Sequence, residues 1–373
     1  MKWIDRQDTL DDVMHRIGAE PQIAVDTEAD SLHSYFDKVC LIQISIPDED
    51  FVIDPLVRVD LARFGALLAD PAVLKVLHGG DYDLRIMNRD FGFTVHNLID
   101  TSVCAQLLGY EGIGLAALLD RHFGVKLNKT HQRADWSMRP LPQDMLEYAS
   151  TDTHYLIPLA AKMREELEAA GRWEWALEEF VRMENIRYRE ASEDDPEPWR
   201  KVKNIGGLDR RTLAIVRGIY QWRDELARKA DRPPFKILGN DAIVEIAKAK
   251  PDNHRDLAKI AAVSRYHSDR YGRELLNIVR QAVALSEEEL PEKGEPKAWI
   301  RDKALEARIN RLKSVRDKYA KELKIDPSVL GARHILSAVA TAGTLDVPNM
   351  REWQKSVMGQ ALLDALTPDK KLF

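Results

Sequence analysis

The chain has 373 residues, of which 45% are hydrophobic and 31% charged, and its formal net charge at pH 7 is −6. This balance is typical of a folded globular protein, and at roughly 150 residues per domain the length predicts two or three domains. No apolar run approaches the ~18 residues of a membrane-spanning helix, the N-terminus has no secretory signal, and Cys40 and Cys104 lack a CxxC spacing. We therefore expect a cytoplasmic protein without membrane contacts or disulfides.

The charge is distributed unevenly along the chain. Residues 1–170 contain 16 Lys and Arg against 28 Asp and Glu, a balance of −12, whereas residues 171–373 contain 39 against 33, a balance of +6. The positive excess is concentrated in residues 201–280, with 18 basic against 10 acidic side chains. An acidic half that collects cations and a basic half that contacts a polyanion is one interpretation; two ordinary soluble domains are the other.

The first 165 residues alternate between strand-like and helix-like periods. Short β-branched apolar runs predict strands at 23–25, 39–46, 51–53 and 73–77. Helical periodicity predicts helices near 60–69, 81–90, 101–109 and 114–124, and one long helix from Pro142 to about Ala170. This order predicts an α/β domain, a mixed sheet flanked by helices.

After Gly171 the strand signals end and only amphipathic helices are predicted. Two acidic, proline-bearing stretches, 190–198 and 287–296, are predicted linkers. They divide the chain into a domain at 1–170, a helical and acidic linker at 171–199, and all-α domains at 200–286 and 297–373.

Asp26 and Glu28 follow the predicted strand Ile23–Val25 in the order Asp-Thr-Glu. Side chains at i and i+2 of a strand project to the same side, so the two carboxylates lie together. Paired carboxylates favour magnesium or manganese, although acidic residues at strand ends are also common without a metal.

A second acidic pair, Asp81 and Asp83, follows a predicted buried strand, His78 and two glycines. Acidic residues in the first turn of a helix also serve as caps and dipole partners, which is the alternative to a ligand role here.

The third acidic motif lies in the predicted long helix, where Tyr148 and Asp152 share one face at spacing i, i+4. Aspartate is a poor residue for the middle of a helix, so a metal ligand beside a water-orienting phenol explains it as well as a solvated surface does.

In their order and spacing these motifs resemble the DEDD exonuclease superfamily in its tyrosine-bearing branch, and most closely the ribonuclease D family. The segment Gln132-Arg133-Ala134-Asp135-Trp136-Ser137-Met138-Arg139-Pro140-Leu141 also resembles a stretch that precedes the family's catalytic helix. The resemblance implies a ribonuclease H-like mixed sheet flanked by helices. It also identifies Asp83, rather than Asp81, as the second-motif acid.

The resemblance further implies a two-metal mechanism that releases 5′-mononucleotides from a free 3′ end. Asp26, Glu28 and Asp152 would hold one Mg²⁺ or Mn²⁺, Asp26 and Asp83 would serve the second, and Tyr148 would orient the attacking water. Trp136 is expected to pack the start of the helix rather than stack on a base. Candidate substrate contacts, each of which is alternatively an ordinary surface residue, are His33, Lys126, Lys129, Arg133, Arg139, Arg223, Arg228 and Lys229.

Residues 205–286 resemble the HRDC domain, a helical nucleic-acid-binding module, through the Trp222-Arg223-Asp224 run and the later prolines. Residues 306–373 resemble a diverged second copy, in which Val315 replaces the tryptophan before Arg316-Asp317. For this copy, packing against the first domain is at least as strong an interpretation as binding of nucleic acid.

The resemblance therefore implies a 3′→5′ exoribonuclease that trims transfer RNA precursors and other small structured RNAs, and we expect it to act as a monomer. A DNA 3′→5′ exonuclease is the main alternative, because the same catalytic core occurs in DNA enzymes. An inactive RNA-binding adaptor is less consistent with the sequence, since all four acids and the tyrosine are present.

Overall fold

The computed structural model of the chain describes residues 1–127, 130–189, 196–293 and 302–367. It contains two compact units. The first comprises Met1–Ala29, Val39–Tyr188 and Arg301–Phe373, and the second comprises Asp30–Lys38 and Arg189–Ile300. No helix in the described ranges has both the length and the apolar character needed to cross a bilayer.

The first unit is built on a six-stranded sheet. Its strands are β1 (Lys2–Ile4), β2 (Gln22–Ala29), β3 (Val39–Ile46), β4 (Glu49–Ile53), β5 (Leu74–Leu77) and β6 (Leu98–Asp100). The strand order is β1-β4-β3-β2-β5-β6; β3 pairs antiparallel with β2 and β4, and the other pairs are parallel. The predicted mixed sheet is confirmed, but β2 extends beyond residue 25, so that Asp26 and Glu28 lie within the strand.

Helices cover this sheet. They are α1 (Gln7–Ile17), α2 (Ala62–Ala69), α3 (Asp81–Phe91), α4 (Thr101–Leu108), α5 (Leu115–Phe123), α6 (Gln143–His154), α7 (Leu156–Ala169) and α8 (Trp173–Glu184). The prediction of one helix from Pro142 to Ala170 is wrong, because the helix is interrupted at Tyr155, between α6 and α7. Pro158 has no N–H to donate to the His154 carbonyl, so the α-helical ladder cannot continue through this turn.

The second unit contains the first helical module, residues 198–293. Its helices are α9 (Arg210–Lys229), α10 (Pro234–Ile237), α11 (Asn240–Ala249), α12 (His254–Leu257) and α13 (Arg265–Ala284). The part of the predicted second linker that is described, 287–293, packs on α9: Leu290 is buried, and its carbonyl and that of Pro291 accept hydrogen bonds from Arg210. The remaining linker residues 190–195 and 294–296 lie outside the described ranges.

The second helical module, residues 302–367, repeats the order of α9, α10, α11 and α13, with no helix in its described residues that corresponds to α12. Its helices are α14 (Lys303–Leu323), α15 (Pro327–Leu330), α16 (Arg333–Ala342) and α17 (Glu352–Leu366). Each module contains an equivalent buried hydrogen bond. Arg223 Nη1 donates to the Leu238 carbonyl in the first module, and Arg316 Nη1 donates to the Gly331 carbonyl in the second; both distances are 2.9 Å, and both acceptors lie fifteen residues after the arginine. The internal similarity read from the sequence is thus matched by the same packing of the Arg-Asp helix.

The second helical module packs against α8. The Trp175 and Trp353 rings stack with centroids 4.9 Å apart, and the buried Glu179 carboxylate accepts hydrogen bonds from Trp353 Nε1 at 3.1 Å and Arg351 Nε at 3.0 Å. These arginine and tryptophan contacts lower the pKa of Glu179 despite its burial. Packing on the first domain is therefore a role that this module performs without nucleic acid.

Candidate active site

Three carboxylates meet on one face of the sheet. Asp26 and Glu28 come from β2, and Asp152 comes from α6, which packs over β2 and β3. One carboxylate oxygen from each lies within 4.8 Å of the others. The i, i+2 spacing on a strand brings Asp26 and Glu28 together, and α6 adds Asp152, which the resemblance to the family had implied.

Asp83 joins the group from the first turn of α3. The turn before α3 requires Gly79 in the left-handed region at φ 65°, and it directs the buried Asp83 toward β2. The Thr27 hydroxyl donates a short hydrogen bond to Asp83, which fixes that carboxylate. Asp81, by contrast, is half exposed and pairs with Arg85. We refer to Asp26, Glu28, Asp83 and Asp152 as the carboxylate cluster.

The cluster disfavours ionisation when no cation is present. Burial, followed by repulsion from Asp152 and Asp83, raises the pKa of Glu28 to about 9. Burial raises the pKa of Asp152 to about 7 and that of Asp83 to about 6. The pKa of Asp26 is also raised well above its usual range, first by burial and then by the other three acids. A divalent cation would stabilise the ionised carboxylates, offsetting the free-energy cost of burying their charges and the repulsion between them.

Tyr148 lies beside Asp152, one helical turn earlier, and its hydroxyl is hydrogen-bonded to the Asp152 carboxylate. Burial, with the neighbouring acids, raises the Tyr148 pKa above its ordinary value, so the phenol keeps its proton at neutral pH. The Trp136 ring packs at 6.0 Å from the Tyr148 ring and is 1% exposed, so the expectation that Trp136 packs rather than stacks on a base is confirmed.

A cavity of about 500 Å³ contains all five predicted catalytic side chains. Tyr82, Gln132 and the start of α5 at Gly114–Ala117 also line it. The position of these residues in the cavity wall was not predicted from the sequence. Tyr82 stands between the two aspartates of the second motif, which was the available signal; nothing in the sequence marked the start of α5.

The basic residues that were predicted to contact substrate near the carboxylate cluster are placed differently from one another. Lys126 lines a neighbouring cavity of about 400 Å³ that shares Tyr148 and Asp152 with the first, and Arg133 is exposed. Lys129 lies outside the described residues.

Arg139 is placed differently from the prediction of a phosphate contact. Its five N–H groups donate to both oxygens of the buried Asp54 carboxylate and to the carbonyls of Cys40, Trp136 and Met138, at 2.5–2.9 Å. This guanidinium holds the segment before α6 against the sheet, because its donors already have protein acceptors.

In the second unit, Arg223 also departs from the prediction. It is 5% exposed, and Nη1 donates to the Leu238 carbonyl and to Asn240 Oδ1. It therefore organises the module's interior, whereas a phosphate contact requires an accessible guanidinium.

The other predicted contacts of this unit lie at its surface. Arg228 and Lys229 are exposed, and the Arg228 guanidinium lies 5.6 Å from the centre of the Tyr35 ring. His33 Nδ1 lies 3.3 Å from Lys236 Nζ. Tyr35 is anchored by its hydroxyl, which donates to Asp224 at 2.9 Å.

Comparison with known proteins gives two family matches: a profile described as 3′-5′ exonuclease over residues 1–168, and the HRDC domain over residues 212–279. Ribonuclease D of Acidiphilium cryptum is 30% identical over 364 residues, 96% of this chain and 91% of that protein. The crystal structure of Escherichia coli RNase D, described as an exoribonuclease involved in structured RNA processing, is 29% identical with a TM-score of 0.70 and covers 98% of each chain. Exosome complex component 10 of Rattus norvegicus is 36% identical over 62% of this chain and 27% of that protein.

Proposed function

Because the chain belongs to the ribonuclease D family and is a metal-dependent 3′→5′ exoribonuclease, we propose that the carboxylate cluster is its catalytic centre. The observation that carries this proposal is the approach of three carboxylate oxygens, from partly buried side chains, within 4.8 Å of one another on one face of the sheet. Burial first and repulsion between the acids second raise the pKa values of Asp26 and Glu28, and a bound cation would offset both effects.

The donor set fits hard divalent cations, because all four side chains offer carboxylate oxygens. We assign Asp26, Glu28 and Asp152 to one ion, and Asp26 with Asp83 to a second. Magnesium and manganese both suit these ligands. When bound, two such ions stabilise the charge on the attacking and leaving oxygens of an in-line phosphodiester displacement.

Tyr148 orients the attacking water in this proposal. Its raised pKa keeps the phenol protonated, so it acts as a hydrogen-bonding partner rather than as a phenolate base. The hydrogen bond to Asp152 fixes the direction of the hydroxyl at the cavity. The product released from the free 3′ end in each cycle is a 5′-mononucleotide.

The substrates we propose are the 3′ extensions of transfer RNA precursors and other small structured RNAs, cut by a monomer. The description of the E. coli relative as a processor of structured RNA supports this assignment. The basic excess of the second unit supports a polyanionic substrate as well.

We assign part of the RNA contact to the surface of the second unit around Arg228 and Lys229. Phe36 and Phe235 are 60% and 56% exposed on the same unit, next to Tyr35 and Lys236 in the chain. Exposed aromatic rings beside cations are the elements that bind single strands, by stacking on bases and contacting phosphates.

The catalytic proposal is tested with a 5′-labelled RNA that carries a single-stranded 3′ tail, digested over time with Mg²⁺, with Mn²⁺ or with chelator. We expect a metal-dependent ladder that shortens from the 3′ end and is absent in Asp83→Asn. Asp81→Asn is the matched control, since it changes the adjacent exposed acid of the same helix turn. Equal loss of activity in both variants, or none in Asp83→Asn, would contradict the assignment of Asp83. Faster shortening of a DNA of the same sequence would contradict the RNA assignment.

The RNA-binding surface is tested in an Asp26→Asn background, which prevents cleavage during the measurement. Replacing Arg228 with alanine should weaken binding of a single-stranded RNA and reduce the slope of log affinity against log salt by about 0.7 for the one lost phosphate contact. Arg265→Ala is the control, because Arg265 is 95% exposed on the same unit and pairs only within its own helix, with Asp269. An unchanged slope in Arg228→Ala would exclude this surface.

A further inference from the structure

Gln43 is a fully buried polar residue beside the carboxylate cluster. It lies on β3 with 0% exposure, and neither its amide oxygen nor its amide nitrogen has a hydrogen-bond partner among the described residues. Buried amides are normally paired, because an unpaired one loses its hydrogen bonds to water without replacement. An apolar residue of the same size would avoid this loss, so the presence of glutamine requires a reason.

The sheet register places Gln43 directly opposite Asp26 on the neighbouring antiparallel strand. Side chains of such cross-strand pairs project from the same face, with Cβ atoms about 4.5–5.5 Å apart. Two residues along the same face of β3, the Ser45 hydroxyl is 2.6 Å from the Thr153 hydroxyl of α6. Gln43 therefore lies in the layer between the sheet and α6, at the level of the Asp26 carboxylate.

A second unpaired donor lies in this layer. The Trp136 Nε1–H group is buried and without an acceptor among the described residues. Trp136 clusters with Leu41 and Val52, and Val52 is the residue opposite Gln43 on β4. The layer thus holds the indole donor of Trp136 and the amide donors and acceptor of Gln43 next to the Asp26 carboxylate, which is an acceptor.

We propose that Gln43 is a positioning residue for Asp26: its amide Nε2 donates to the Asp26 carboxylate in the metal-loaded enzyme. The inference deepens the proposed function and rests on it. Asp26 is the acid assigned to both ions, so its orientation governs both positions. A carboxylate ligand is usually held by a hydrogen bond from a neighbouring group, which fixes its orientation toward the cation. Trp136 Nε1–H would complete the arrangement by donating toward Gln43 Oε1, directly or through a water.

The test is Mn²⁺ binding to the full chain, measured by titration calorimetry for wild type, Gln43→Leu and Ser45→Ala. Loss of a group that holds a metal ligand weakens the metal by about 10- to 100-fold, and we expect this for Gln43→Leu. Ser45→Ala removes another buried polar contact from the same strand face, to Thr153, and should leave Mn²⁺ affinity unchanged. Gln43→Met replaces Gln43→Leu if the branched side chain prevents folding, because methionine is unbranched and adapts to its surroundings.

Thermal unfolding in chelator gives the second measurement. The Gln43→Leu protein should unfold at the wild-type temperature or above it, since an unpaired amide is replaced by an apolar group. Wild-type Mn²⁺ affinity in Gln43→Leu, with or without lower thermal stability, would overturn the inference and leave the amide a structural role. If wild type itself bound no Mn²⁺ while Asp26→Asn behaved identically, the proposed catalytic centre would fail instead.

Discussion

The metal-free protein is expected to lose stability as the pH rises from 6 to 9. In the unfolded chain Glu28 ionises near its ordinary pKa of 4.5, whereas in the folded protein burial and the neighbouring acids raise that pKa to about 9. Between these values the folded state binds one proton more than the unfolded state. Stability therefore falls with increasing pH across this window, the opposite of the usual effect of a carboxylate in an ion pair.

The magnitude follows from this one proton. A difference of one bound proton changes the free energy of unfolding by about 1.4 kcal/mol per pH unit, so Glu28 alone predicts a loss of about 4 kcal/mol between pH 6 and 9. Asp152, with its pKa raised to about 7, adds to the loss in the lower part of the range. Mg²⁺ should reverse the trend, because cation binding favours the ionised acids and becomes tighter as the pH rises.

The assay is urea unfolding followed by circular dichroism at pH 6, 7, 8 and 9, in chelator and in excess Mg²⁺. Glu28→Gln removes the titrating group and should flatten the chelator curve relative to wild type. Glu147→Gln is the matched control, because Glu147 is exposed on α6 and should leave the wild-type slope unchanged. Stability that stays constant or rises with pH in chelator would refute the reasoning, as would the same slope in wild type and Glu28→Gln.

Three further predictions concern single side chains. Tyr148→Phe should lower kcat by about 100-fold or more while leaving Mn²⁺ affinity unchanged, because it removes only the water-orienting hydroxyl; steady-state digestion of labelled RNA measures this, and a wild-type kcat would contradict it. Arg139→Ala should destabilise the protein by about 3–5 kcal/mol in urea unfolding, since it leaves the buried Asp54 carboxylate unpaired; weaker RNA binding at unchanged stability would instead restore a phosphate role. Glu179→Ala should lower the free energy of unfolding in urea by about 3 kcal/mol, because the Trp353 indole and the Arg182 and Arg351 guanidinium groups lose the acceptor they share. Wild-type stability of this variant would show that the contact between the second helical module and α8 contributes little to the fold.

Two pairs of side chains in the candidate active site could be predicted from spacing, because their geometry is local, whereas the meeting of these pairs and the choice of Asp83 followed from the resemblance to the family. The spacing of Asp26 and Glu28 puts both on one face of a strand, and the spacing of Tyr148 and Asp152 puts both on one face of a helix. The order of strands and helices likewise follows from local periodicity. Short elements such as β1 and β6, with three residues each, contain too few positions to show a period.

The roles of individual arginines could not be predicted in this way. Arg139 and Arg223 were both predicted to contact phosphate, since each is a cation near a predicted nucleic-acid site. The structure directs both inward, where Arg139 meets Asp54 and backbone carbonyls, and Arg223 meets Leu238 and Asn240. Asp54 lies 85 residues from Arg139, and Asn240 lies 17 residues from Arg223. Pairs at such separations cannot be predicted from a local sequence pattern.

The sequence by itself determined the pairing of Asp26 with Glu28, the pairing of Tyr148 with Asp152, and the change from an α/β region to all-helical modules, because each depends on spacings of a few residues. Only the tertiary structure decided that the second helical module packs on α8 through the Trp175–Trp353 stack and that an unpaired Gln43 lies opposite Asp26 on the neighbouring strand. These features depend on which surfaces meet. Which surfaces meet depends on the total burial and hydrogen bonding of residues that are distant in the chain. These contributions produce no periodic pattern in the sequence.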